Sequence, residues 1–146
     1  MACHDCPSRR EFLLTGLGLA LLPMTFAEPV AQGSERRYPF PAGDGVTIDR
    51  RDQIIIVRRQ GQVYAFNLSC PHENNALRWL PKDERFQCPK HESKYQPNGT
   101  FMSGRATRNM DRLKIRRDGD ALLVDLSHII KSDTDTAAWA AAALAV

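Results

Sequence analysis

The chain has 146 residues, which suits one domain of ordinary size. Charged residues make up 25% and hydrophobic residues 42%, a soluble globular profile. The net charge of +3 is too small to argue for an acidic partner over a plain solvated surface. No lysine/arginine cluster with interleaved aromatics points to nucleic-acid binding.

The amino terminus carries the first signal. Ser8-Arg9-Arg10-Glu11-Phe12-Leu13 resembles the twin-arginine export motif, Ser-Arg-Arg-x-Phe-Leu. An apolar stretch follows over residues 12–27, interrupted by Gly16, Gly18 and Pro23. It is short for a transmembrane helix, which needs about 20 apolar residues. Thr25-Phe26-Ala27 offers a small-residue cleavage site. Residues 1–27 are therefore expected to be a twin-arginine (Tat) signal segment, either cleaved or kept as a membrane anchor. An ordinary secretory signal shares this architecture. The expected location is the bacterial periplasm, or the periplasmic face of the inner membrane with residues 12–27 as anchor. Cys3, His4 and Cys6 precede the arginines, in a segment removed or embedded, and are read as non-functional.

Residues 28–45, rich in proline, glycine and charge, read as a linker. Residues 46–130 read as one all-β domain of short strands. The β-branched run Ile54-Ile55-Ile56-Val57 and the alternating Val63-Tyr64-Ala65-Phe66 predict a hairpin that turns at Gln60-Gly61 and delivers the chain into Cys70. Short strands are expected over residues 76–80 and 85–87, and another from Ser93, with a turn at Pro97-Asn98-Gly99. Residues 113–117 and 121–125 alternate around Asp118-Gly119, a hairpin turn signal. The tail, residues 131–146, turns acidic and then alanine-rich, and suits a short helix or a loose end.

Four residues carry the chemistry: Cys70 and His72 in Cys-Pro-His, then Cys88 and His91 in Cys-Pro-Lys-His. Each pair sits on a loop at the end of a predicted strand, so two hairpin tips can clamp one metal centre. Two thiolates and two imidazoles suit a mixed-ligand centre. A structural zinc site uses the same residue types, but zinc pairs usually group like with like, as Cys-x(2–4)-Cys and His-x(3–5)-His. A disulfide between Cys70 and Cys88 is the plain alternative in an exported protein, and it leaves both histidines unexplained.

On these residues the chain resembles the Rieske iron–sulfur family, whose pattern is Cys-x-His, a spacer of about this length, then Cys-x-x-His. The resemblance covers roughly residues 46–130. It implies an antiparallel Rieske-type β-sandwich with two cluster-binding hairpin loops. It also implies one [2Fe–2S] cluster per chain, with Cys70 and Cys88 on one iron and His72 and His91 on the other. Replacing thiolate by neutral imidazole lowers the negative charge on the cluster and favours the added electron. His91-Glu92-Ser93-Lys94-Tyr95 continues the match as His-x-Ser-x-Tyr. In high-potential members that serine donates to a bridging sulfide and that tyrosine to a cysteine sulfur, which implies donor roles for Ser93 and Tyr95. The chain resembles the domain of the cytochrome bc-complex Rieske subunit, yet Asn75 and Lys90 stand where that subgroup has its loop disulfide. Gly104-Arg105-Ala106-Thr107 occupies the place of a family loop that folds over the cluster, with Arg105 and Arg108 expected to be available to a partner.

The implied function is one-electron transfer, as the iron–sulfur subunit of a quinol-oxidising, cytochrome bc-like or other membrane-associated respiratory complex. The partners would be a redox protein such as a cytochrome, or that complex. The alternatives are a free periplasmic Rieske carrier for another oxidoreductase, and a structural zinc-binding module. An independent catalytic site is not expected. An oxygenase centre needs a second iron on two histidines and a carboxylate, and after residue 27 the one histidine outside the two pairs is His128.

Overall fold

The computed structural model describes residues 34–146. The expected signal segment, with Cys3 and Cys6, lies outside the described residues.

Two antiparallel sheets build the domain. The larger contains β1 (Glu35–Pro39), β2 (Gly45–Asp49), β3 (Ile54–Arg59), β4 (Gln62–Asn67), β9 (Arg112–Asp118) and β10 (Ala121–Ile130), in the order β1-β10-β9-β4-β3-β2. The smaller contains β5 (Arg78–Leu80), β6 (Arg85–Gln87), β7 (Lys94–Tyr95) and β8 (Phe101–Ser103), in chain order. A final strand, β11 (Leu144–Ala145), pairs with β4.

The run Ile54-Ile55-Ile56-Val57 has no polar face because β3 is buried on both sides. Alternate residues point to opposite faces of a strand. Ile54 and Ile56, with Val63 and Ala65 of β4, join Leu113, Ile115, Leu122 and Val124 in one core. Ile55, Val57, Phe66 and Leu68 face the other way, where they meet Phe86, Tyr95, Met110 and both cysteines, Cys70 and Cys88. The second core lies beneath the loops that carry Cys70, His72, Cys88 and His91. The β3–β4 hairpin therefore supports the candidate metal centre on one face and anchors it to the rest of the large sheet on the other. Gln60 and Gly61 close this hairpin, both with positive φ (50° and 73°), the two-residue turn whose twist matches the strands.

Two stretches expected outside the domain are parts of its large sheet. Residues 28–45, read as a linker, contain β1, which pairs with β10 over five residues from Glu35↔Asp125 to Pro39↔Ala121. The polar exterior of an edge strand hides it from a periodicity search. The tail is not loose. Asp135 caps α1 (Thr136–Ala141) by accepting from the Ala138 amide at 3.0 Å. The chain then returns along β4, and the Val146 amide bonds the Gly61 carbonyl at 2.9 Å. No helix among the described residues is long and apolar enough to cross a membrane.

Candidate metal centre

The loop from β4 to β5 carries Cys70 and His72, and the loop from β6 to β7 carries Cys88 and His91. The two loops share one backbone design. The Cys70 amide donates to the Asn75 carbonyl at 2.8 Å, and the Cys70 carbonyl accepts from the Asn74 amide at 2.9 Å. In the second loop, the Cys88 amide donates to Ser93 at 2.9 Å and its carbonyl accepts from Glu92 at 3.0 Å. Asn74 and Glu92, at matching positions, both adopt positive φ (55° and 54°). Asparagine tolerates that conformation; glutamate is held in it by the loop.

This design buries both sulfurs, with Cys70 at 0% and Cys88 at 1% exposure, and leaves both thiols unpaired. The histidines come two and three residues later, at the rim. Their rings lie 5.0 Å apart, centroid to centroid, with His72 exposed and His91 partly so. Buried sulfur on one side and imidazole at the surface is the donor arrangement a Rieske cluster needs. The Nδ1 atom of His91 is buried and has no hydrogen-bond partner, which a metal bond would supply. A single zinc ion fits less well. Zn–S and Zn–N bonds of about 2.3 and 2.1 Å would bring all four ligand atoms within roughly 4.4 Å of one another. Among the described residues, neither sulfur joins the histidine nitrogens in a group within 4.8 Å.

Ser93 and Tyr95 are fully buried beside the loops. Ser93 Oγ accepts from the Arg105 and Ala106 amides at 3.1 and 3.0 Å. A hydroxyl has two acceptor lone pairs and one proton, so both acceptor sites are filled and the proton is left to donate elsewhere. Tyr95 Oη lies 3.5 Å from Cys70 Sγ. Burial pushes the Tyr95 phenol up, helped by its bond to Cys70 and by the charges of both cysteines, while Ser93 acts in the opposite direction. A phenol so held keeps its proton, so Tyr95 is the donor and the sulfur the acceptor. Ser93→Ala is expected to keep the cluster and lower its midpoint by roughly 20–60 mV, taking about 0.5–1.5 kcal/mol per hydrogen bond and 59 mV per tenfold for one electron. An unchanged midpoint in a redox titration would count against the donor role.

The segment over Ser93 explains why Gly104 is glycine. Its φ is 116°, and an added Cβ would lie 2.4 Å from Ser93 Cα. The expectation for the neighbouring arginines divides. Arg105 is exposed, but Arg108 is held by Asp111 at 3.0 and 2.8 Å, with Asp133 at 3.7 Å, so it is not free for a partner.

Glu73 is the residue that sequence reasoning missed. Its carboxylate lies 3.7 Å from His91 Nδ1 and 4.0 Å from His72 Nδ1. Lys90 contacts it at 2.6 Å and, by that hydrogen bond, holds its carboxyl below the usual range. The signal was present, an acidic residue beside one histidine and a basic residue beside the other, but only the fold brings them together.

A family model described as "Rieske [2Fe-2S] domain" matches residues 30–117. The cytochrome b6-f complex iron–sulfur subunit of Chlorobaculum thiosulfatiphilum is 29% identical over 73 residues, 50% of this chain and 40% of the relative. The subunit of that name from Synechococcus sp. (strain JA-3-3Ab) is 34% identical over 71 residues, 47% of this chain and 41% of the relative. The chain thus spans about two fifths of the length of these curated relatives. Among solved structures, the plasma membrane Rieske protein of Synechocystis PCC 6803 matches with a TM-score of 0.46 and 23% identity, over 55% of this chain and 83% of that one. The ferredoxin of carbazole 1,9a-dioxygenase from Nocardioides aromaticivorans IC177 matches with a TM-score of 0.44 and 18% identity, over 63% and 97%. The fold is the expected all-β, Rieske-type antiparallel sandwich, and its cofactor is a [2Fe–2S] cluster. The chain belongs to the Rieske [2Fe–2S] family.

Proposed function

We propose that this protein is an exported one-electron carrier, the iron–sulfur subunit of a quinol-oxidising, cytochrome bc-like or other membrane-associated respiratory complex. Cys70 and Cys88 would hold the inner iron, and His72 and His91 the outer iron. When bound, the cluster takes up and releases one electron. The chain's own residues do the rest. The cysteine turns fix the sulfurs in a buried pocket, Tyr95 holds its proton against Cys70, Ser93 lies buried beside it with both acceptor sites filled, and the histidine rings form the surface a partner would meet. The observation that carries the reading is the fully buried Ser93/Tyr95 pair beside the ligand loops, since both donors favour the electron-rich state. The names of the curated relatives, cytochrome b6-f iron–sulfur subunits, support the same direction. The Arg9-Arg10 motif supports export to the periplasmic face.

Lys90 and Asn75, in place of the loop cysteines, favour a second reading, a free periplasmic carrier serving another oxidoreductase. Cell fractionation separates the two. A complex subunit is expected in the membrane fraction and to co-purify with a haem protein. Quantitative recovery in the soluble periplasm, without haem, would favour the free carrier. His72→Ala and His91→Ala are each expected to abolish the cluster's visible spectrum. A variant that retained it would refute the ligand set.

A further inference from the structure

We propose that Glu73 and Lys90 form an ionic tie across the two ligand loops and act as positioning residues for the histidine face. The proposal rests on the assignment of His72 and His91 as ligands. Glu73 follows His72 directly and Lys90 precedes His91 directly. The 2.6 Å contact between Lys90 Nζ and Glu73 Oε2 therefore joins the neighbour of one histidine to the neighbour of the other. Among the described residues, every ion pair between residues 70–75 and 88–93 runs through Glu73. Asn75 takes no part, because its side-chain amide bonds the Glu73 carbonyl within its own loop, at 3.2 Å. Lys90 thus ties to residue 73 rather than residue 75. Each cysteine is clamped by its own loop's backbone, and Tyr95 reaches Cys70 in the buried layer beneath, so at the exposed loop tips the Glu73–Lys90 pair adds an ionic link between the two loops.

The pair also sets the local charge. The Glu73 carboxylate faces both Nδ1 atoms, at 3.7 and 4.0 Å, and a negative charge there opposes an added electron. Lys90 offsets it. Breaking the tie from either side should loosen the loops in the same way, yet move the potential in opposite directions. A contact with only a structural role would not separate the two.

The test uses the cluster-loaded protein and the variants Glu73→Gln, Lys90→Met and both together. Both groups are partly exposed, at 38% and 55% of their side-chain surfaces, so the effects are modest and screened by salt. At low salt each single variant should lose its visible absorbance to an iron chelator about two- to fivefold faster than wild type, a range set by the modest worth of exposed pairs. The double variant should be no faster than either single one. Roughly 1 M salt should bring wild type close to the variants. The midpoint should rise in Glu73→Gln and fall in Lys90→Met, each by about threefold in the electron-binding equilibrium, or ~30 mV. Wild-type rates in both single variants, additive losses in the double variant, or midpoints moving the same way would overturn the tie. His91→Ala is the control. If it keeps the native spectrum, the ligand assignment fails and takes the proposal with it. If it loses the spectrum while Glu73→Gln and Lys90→Met match wild type, only the proposal fails.

Discussion

Gly104→Ala is expected to destabilise the domain by about 2–5 kcal/mol and to lower the cluster's midpoint, by no more than Ser93→Ala does. Two effects combine. A φ of 116° is a conformation that side chains other than glycine rarely adopt, and the new methyl group would meet Ser93 Cα at 2.4 Å, Ser93 N at 2.8 Å and Ser93 Oγ at 2.9 Å. Two of those atoms are backbone and cannot rotate away. The segment must retreat, and the Arg105 and Ala106 amides leave the Ser93 oxygen. The serine proton is then no longer directed by two filled acceptor sites. Thermal unfolding and a redox titration of the same sample check both halves. Ser103→Ala, an exposed neighbour, serves as the comparison and should change neither. A Gly104→Ala protein with wild-type melting and midpoint would show that this segment does not control Ser93.

Trp139→Ala is expected to cost about 3 kcal/mol and to lower Tm by roughly 10–20 °C. Trp139 lies in α1 and covers Arg112, an arginine 4% exposed with no carboxylate partner among the described residues. Burial pulls the Arg112 guanidinium down to about 10. What holds it is stacking and carbonyl oxygen. Its Cζ lies 3.7 Å from the Trp139 ring centroid and 4.7 Å from that of Tyr64, and it donates to the Trp139 carbonyl at 2.6 Å and the Asn98 carbonyl at 2.9 Å. The indole donates in turn to the Met110 carbonyl at 2.7 Å, beside the core that lies under the cysteines. Removing the ring exposes a cation placed for stacking and orphans a carbonyl. Trp139→Phe keeps a ring face and loses only the indole bond, so it should cost about 1 kcal/mol. Equal melting of Trp139→Ala and wild type would mean that the tail is dispensable.

The parts of the domain with strong local signals were legible. The β3–β4 hairpin announces itself through β-branched residues and Gln60-Gly61, and the β9–β10 hairpin through Asp118-Gly119. The strand β1 did not, because Glu35-Arg36-Arg37 reads as solvated chain and pairs only across 90 residues with Asp125 and its neighbours. The tail's role was hidden for a similar reason. Nothing in an alanine-rich sequence says that Trp139 will meet Arg112. At the metal centre, the spacing within Cys-x-His and Cys-x-x-His is local, so Cys70, His72, Cys88 and His91 could be singled out together. The Glu73–Lys90 contact depends on where two loops meet, and the Ser93 acceptor bonds depend on amides 12 and 13 residues further on. Neither has a periodic or motif signature.

The central claim is that these four residues carry a Rieske cluster whose potential is raised by Ser93 and Tyr95. It is tested most directly by a redox titration of the purified protein followed by electron paramagnetic resonance. The account predicts a reduced-state Rieske signal with a clearly positive midpoint. A Rieske signal at negative midpoint would contradict the donor roles of Ser93 and Tyr95, and zinc with no iron–sulfur signal would contradict the ligand assignment itself.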